Sequence, residues 1–166
     1  MAILFSIPVL GLALIIQTAI VSRINLLAGS ADIVLLIVAA WGLQPHVKWP
    51  WVWAVLAGIL VGYVSGLPVF IAPAGYLLVM GMAQLMQRRV WQAPLLAMFA
   101  VTFVGTLVMQ VMTYVTLWSG GSSLSPGEVF LQVTLPSILL NLFLSIPIHA
   151  LMRDTARWLY PAESEV

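Results

Sequence analysis

Apolar runs fill the chain, and short polar breaks divide it. A membrane-crossing helix needs roughly 20 apolar residues, and against that measure the pattern marks six candidate segments, of which five or all six cross. They cover residues 2–21, 31–44, 51–66, 69–86, 91–118 and 129–151, leaving 152–166 as a short tail. Arg23 and Asn25 close the first run. Pro45, His46, Lys48 and Pro50 separate the second from the third. Gln87, Arg88 and Arg89 end the fourth, and a Gly/Ser/Pro loop over 119–127 precedes the sixth. The second run is the weakest. From Asp32 to Leu43 it is only about 12 residues long, short of a crossing, and reads as a short helix or a re-entrant one shielded by protein.

Within the third run, small residues recur at every fourth position: Ala54, Gly58, Gly62 and Gly66. On an α-helix these share one face. A face without side chains admits a second helix backbone to backbone, and such faces drive packing in lipid. Packing within this chain is the plainer reading. Reception of a helix from another protein is the sharper one.

Uncharged polar residues also follow helical stripes. Thr102, Thr106, Gln110 and Thr113 mark the fifth run. Thr134, Ser137, Asn141 and Ser145 mark the sixth, with Gln132 nearby. Pro136 removes a backbone donor and frees the carbonyl of Gln132; Pro147 does the same for Phe143. The stripes are expected to face each other as interhelical contacts, or to line a small outward-facing cavity.

Composition agrees with the pattern. Of 166 residues, 63% are hydrophobic and 7% charged, against about 25% charged in a soluble domain. This composition implies an integral membrane protein. The net charge of +1 offers no basic face for phosphates, so nucleic acid is not expected as a partner. The sequence has no cysteine, hence no disulfide framework and no thiolate metal site. The first run lacks a basic flank and a small-residue cleavage site, so it reads as a retained span. Lys and Arg in short loops set orientation. Six spans with a cytoplasmic N-terminus put Lys48, Arg88, Arg89, Arg153 and Arg157 inside and Arg23 outside; five spans put all six inside. Either way the C-terminus is cytoplasmic. Trp49, Trp51, Trp53, Trp91, Trp118 and Trp158 read as aromatic belts at the two interfaces.

Ionisable groups inside the runs are few. Asp32 is the carboxylate nearest a span, and a charge at the bilayer centre costs about 2.5–3.5 kcal/mol. At the start of the second helix, however, it faces a favourable helix dipole and caps the first turn. Capping is the preferred reading, ahead of partner binding or an ion pair, with a transport site last. His46 and His149 have no second ligand at metal spacing. No nucleophile elbow, phosphate loop or carboxylate pair is present, so neither catalysis nor a cofactor is expected.

Order and spacing together resemble one family. Gln17-Thr18, then Ala31-Asp32 and an aliphatic run to Trp41-Gly42, is similar to the start of the rod shape-determining protein MreD family. Gly58 to Pro68 resembles its Gly-Leu-Leu-x-Asp-x-x-Ser-x-x-Pro stretch, and Asn141…Pro147…Arg153 its closing pattern. Two positions depart: Ala31 stands where proline is usual, and Gly62 where aspartate is usual. The resemblance implies a six-helix fold like the substrate-binding subunit of energy-coupling-factor vitamin transporters. It implies a non-enzymatic scaffold of the elongation machinery in the bacterial inner (cytoplasmic) membrane, surrounded by membrane lipids. The partners implied are an MreC-like protein with one membrane span and, through it, the elongation glycosyltransferase and transpeptidase complex. In this reading Ala54, Gly58, Gly62 and Gly66 pack a partner helix, and Gln17, Asp32, Gln110, Asn141 and Ser145 are the polar intramembrane positions. The competing expectation is a substrate-binding membrane subunit for uptake of a small, vitamin-type solute, with the polar stripes as its pocket.

Overall fold

The computed structural model describes residues 2–19, 28–45, 47–89 and 93–160. The fold is all-helical, and no strand occurs among the described residues. The helices are α1 (Ala2–Ala19), α2 (Ile33–Gly42), α3 (Pro50–Val64), α4 (Ile71–Arg89), α5 (Pro94–Ser119) and α6 (Pro126–Leu159). Of these, α5 and α6 are long and apolar enough to cross a membrane. Their starts follow from proline: Pro50, Pro94 and Pro126 stand in the first turn of α3, α5 and α6, where the missing N–H costs nothing. Arg88 and Arg89 end α4, where cations suit the negative end of the helix dipole.

Successive helices run in alternating directions. Phe5 near the start of α1 meets Trp158 near the end of α6, with ring centroids 6.0 Å apart. Gln17 near the end of α1 reaches Val34 at the start of α2. The far end of α2 meets the last part of α4, where Gln84 bonds the carbonyl of Gly42. The Tyr160 hydroxyl lies 3.5 Å from the carbonyl of Lys48, so the α2–α3 connection and the end of α6 share one end of the bundle. Gln87, Arg153 and Arg157 line one cleft there. Lys48, Arg88, Arg89, Arg153 and Arg157, the cations of the described residues, thus gather at that end. The 119–127 loop and Glu128 lie at the other.

At the centre is α2. It touches every other helix, and Val34 through Gly42 are all buried. Ten residues make only about 15 Å of helix, half a hydrocarbon core. The 31–44 run is therefore a short buried helix preceded by extended chain, not a full-length span. Beside it Trp41 and Trp53 stack at 4.1 Å and 23°.

Three further expectations are corrected. Trp53 is not a belt residue: it stands two positions after Trp51 in a helix, so it turns into the core while Trp49 and Trp51 stay exposed. Gly66 is not on the α3 face: α3 ends at Val64, and Gly66 adopts φ +68° in the following turn, the usual glycine terminus of a helix. Helix α6 does not stop at Leu151. Arg153 and Arg157 are good helix formers, and the helix continues to Leu159. The end of the first run at 20–21, Arg23, Asn25, His46, Trp91 and the final acidic residues lie outside the described residues.

Candidate functional site

Polar side chains from α1, α4 and α6 converge on α2 and the chain leading into it. That chain, residues 28–32, is non-helical. In lipid its backbone groups need partners within the protein, and α6 supplies them. The Ala28 amide donates to the Gln132 carbonyl at 3.1 Å. The Ser30 amide donates to Ser137 Oγ at 3.2 Å. The Asp32 amide donates to Asn141 Oδ1 at 2.8 Å. Alternate amides of an extended chain are about 6.6 Å apart, and four helical residues rise about 6 Å, so the two periods keep step. The wider interval, Gln132 to Ser137, contains a π-helical turn over Phe130–Thr134. Pro136 follows that turn and leaves the Gln132 carbonyl without its helical donor, free for Ala28. Gly29 permits the approach: a Cβ there would lie 2.7 Å from the Val133 carbonyl oxygen and 2.8 Å from the Ser137 nitrogen.

Asp32 is the N-cap of α2. Its Oδ1 accepts the Leu35 amide at 2.9 Å. Tyr76 of α4 donates its hydroxyl to the same carboxylate, 3.2 and 3.1 Å from the two oxygens. Gln17 of α1 accepts the Val34 amide through Oε1 at 3.1 Å. Two of the first-turn donors that a helix leaves unpaired, the Val34 and Leu35 amides, are thus taken by side chains from two directions. Asn141 also donates through Nδ2 to Thr106 Oγ1 of α5 at 2.9 Å, and Thr106 donates to the Thr102 carbonyl at 2.7 Å. At the other end of α2, Gln84 Nε2 donates to the Gly42 carbonyl at 2.6 Å and Gln44 Nε2 to the Ala40 carbonyl at 3.0 Å.

The structure therefore brings Gln17, Asp32 and Asn141 together around one helix terminus. Ser145 is buried lower on α6 and bonds within its own helix, to the Leu142 carbonyl at 2.6 Å. Gln110 lies one turn beyond Thr106, half-buried and outside this group. Ala54, Gly58 and Gly62 are buried on one face of α3; α4 covers Gly58, and the turn leading into α4 covers Gly62. A Cβ on Gly58 would collide with the backbone of Pro73, whose nitrogen is 2.8 Å away, and one on Gly62 would lie 2.7 Å from the Val69 carbonyl oxygen. The small-residue face is filled from within the chain, and no room is left there for a second protein. Sequence reasoning missed Tyr76, Gln84 and Gln44. Tyr76 and Gln84 carried a signal, as isolated polar groups inside an apolar helix.

A small cavity of about 220 Å³ opens beside this terminus, lined by Gln17, Thr18, Ser30, Val61 and Ser65 among others. It is smaller than the roughly 300–1,000 Å³ of small-molecule sites, and among the described residues no charged side chain lines it. The chemistry the cluster performs is hydrogen-bond closure around buried backbone. The chain matches no family model, no curated protein and no solved structure.

Proposed function

We propose that the chain is a non-enzymatic membrane scaffold of the MreD type. It is a six-helix bundle of the bacterial inner membrane, with α2 as its short central member and the cation-rich end in the cytoplasm. One observation carries the reading. Gln17, Asp32 and Asn141, which carry the sequence resemblance in three separate segments, meet within hydrogen-bonding distance at one helix terminus. Residues that carry part of the resemblance thus take part in building the core, and this supports the reading. The carboxylate of Asp32 is engaged by Leu35 and Tyr76, which favours a structural role over a transport role. Since α4 and the turn leading into it occupy the Ala54/Gly58/Gly62 face, a single-span MreC-like partner packs on the outer, lipid-facing side of the bundle. Through that partner the scaffold helps position the glycosyltransferase and transpeptidase of wall elongation.

The competing reading, a solute-binding subunit of an ATP-driven importer, draws on the same six-helix arrangement and on the outer cavity. The small volume and uncharged lining of that cavity weigh against it. Purification of the tagged chain from its own membranes in mild detergent, followed by mass spectrometry, separates the two. A stoichiometric single-span protein with an extracytoplasmic domain is the expected result. An ATPase pair with a coupling membrane subunit, or a retained vitamin-like solute, overturns the scaffold.

A further inference from the structure

The cation-rich end holds a cleft that the scaffold reading does not use. Its volume is about 550 Å³, within the small-molecule range. Leu43, Leu95, Ala97 and Ile146 form an apolar wall, and His149, Arg153 and Arg157 descend one side of α6 toward the mouth. From Ile146 to Arg157 the wall changes from apolar to cationic over about 16 Å of helix. Arg153 and Arg157 are exposed. Asp154 engages Arg153 through Nε at 3.1 Å, which leaves the terminal guanidinium nitrogens available. Arg157 has no ion pair among the described residues. His149 is buried, and its Nδ1 has no hydrogen-bond partner among the described residues. Gln44, Gln87 and Tyr160 supply the remaining polar groups of the lining.

We propose that this cleft binds an anionic phospholipid from the cytoplasmic leaflet. The phosphate is held by Arg153 and Arg157, and the first part of an acyl chain lies along Leu95 and Ile146. The guanidinium fork matches phosphate oxygens in bidentate geometry, and basic pockets between helices on the cytoplasmic side suit such headgroups. The polarity gradient of the cleft selects an amphiphile over a free phosphate. The inference needs the membrane placement proposed above but not the identity of any protein partner.

The test is native mass spectrometry of the purified full chain in non-ionic detergent, with phosphatidylglycerol and phosphatidylcholine of identical acyl chains. A basic residue at the membrane surface favours an anionic lipid roughly five-fold, so two arginines predict a preference of about 25-fold for phosphatidylglycerol. Replacing Arg153→Gln with Arg157→Gln should bring that preference close to one. Replacing Arg88→Gln with Arg89→Gln, which removes equal charge from the same end, should leave it intact. Ala150→Trp, which fills the cleft, should reduce retention of phosphatidylglycerol. Equal retention of the two lipids overturns the proposal, as does equal loss in the two double variants, which would indicate diffuse attraction. Displacement of the lipid by an equal concentration of glycerol 3-phosphate also overturns it, in favour of a site for soluble phosphate. Failure of the scaffold reading would show in co-purified proteins and leaves these lipid ratios unaffected.

Discussion

Asn141 accepts the backbone amide of Asp32 at 2.8 Å and is the hinge between an extended segment and three helices. Through Oδ1 it holds the lead-in to α2; through Nδ2 it holds Thr106 of α5. Replacing it with leucine keeps the branched shape and strands the Asp32 amide, while the Thr106 hydroxyl loses a donor but keeps its own bond to the Thr102 carbonyl. A buried group left unpaired costs about 1–3 kcal/mol, while single interhelical bonds in membranes average about 0.6 kcal/mol. Asn141→Leu should therefore cost about 1–3 kcal/mol in reversible unfolding from mixed micelles, and Thr106→Val less than about 1 kcal/mol. The double variant should fall short of the sum, because one bond is shared. Additive losses would mean that the pair does not act together.

The carboxylate below it supports a second contrast. Asp32→Ala removes the N-cap, worth about 0.5–2 kcal/mol, and also leaves the buried Tyr76 hydroxyl without its acceptor. Asp32→Asn keeps an acceptor oxygen for Leu35 and for Tyr76. Thermal unfolding should rank wild type first, Asp32→Asn next and Asp32→Ala last. In the Asp32→Ala background, Tyr76→Phe should cost nothing further. An Asp32→Asn protein as unstable as Asp32→Ala would show that the negative charge, not the cap, holds the helix.

Much of this core is legible in the sequence, and the parts that are not have identifiable causes. Ser30 and Asp32 before an aliphatic run announce a cap, and Pro136 announces a freed carbonyl at Gln132. That the recipient is Ala28, more than a hundred positions away, is a matter of tertiary register, which no local pattern carries. The stripe Ser137–Asn141 reads as helix-to-helix contact because polar residues at i and i+4 usually serve that purpose; here Ser137, and Asn141 through its Oδ1, serve an extended backbone instead. Trp53 groups with its neighbours in sequence because a belt is a compositional pattern, whereas its burial follows from the 100° turn per residue of α3. Gly66 is legible as a helix stop, since Ser-Gly-Leu-Pro ends helices, but the four-residue repeat of small residues masks it.

The glycines separate packing from backbone freedom. At Gly58 even one methyl group meets the Pro73 backbone, which cannot move aside. Gly66 has open space but φ +68°, where an L-residue is strained by about 1–2 kcal/mol. At Gly11 nothing lies within 4 Å of the place a methyl group would take, and the backbone is helical. Unfolding free energies of the three alanine variants should show the greatest loss at Gly58, about 1–2 kcal/mol at Gly66, and none at Gly11. A Gly58→Ala protein with wild-type stability would place α4 farther from α3 than this packing requires.

The absence of cysteine from the sequence allows the orientation to be read with single introduced thiols. Ser65 and Ser123 stand in the turns after α3 and α5, and Pro45 and Asp154 stand at the cation-rich end; all four are exposed. Positive residues are retained on the cytoplasmic side, so the proposed orientation expects Pro45 and Asp154 inside and Ser65 and Ser123 outside. In intact cells a membrane-impermeant maleimide should label Ser65→Cys and Ser123→Cys and should spare Pro45→Cys and Asp154→Cys until the membrane is permeabilised. The two inner positions test different things. Labelling of both from outside would invert the bundle and remove the cytoplasmic lipid cleft with it. Labelling of Pro45→Cys alone would mean that the α2–α3 connection does not lie beside Tyr160. The buried short helix would then have been assigned the wrong direction.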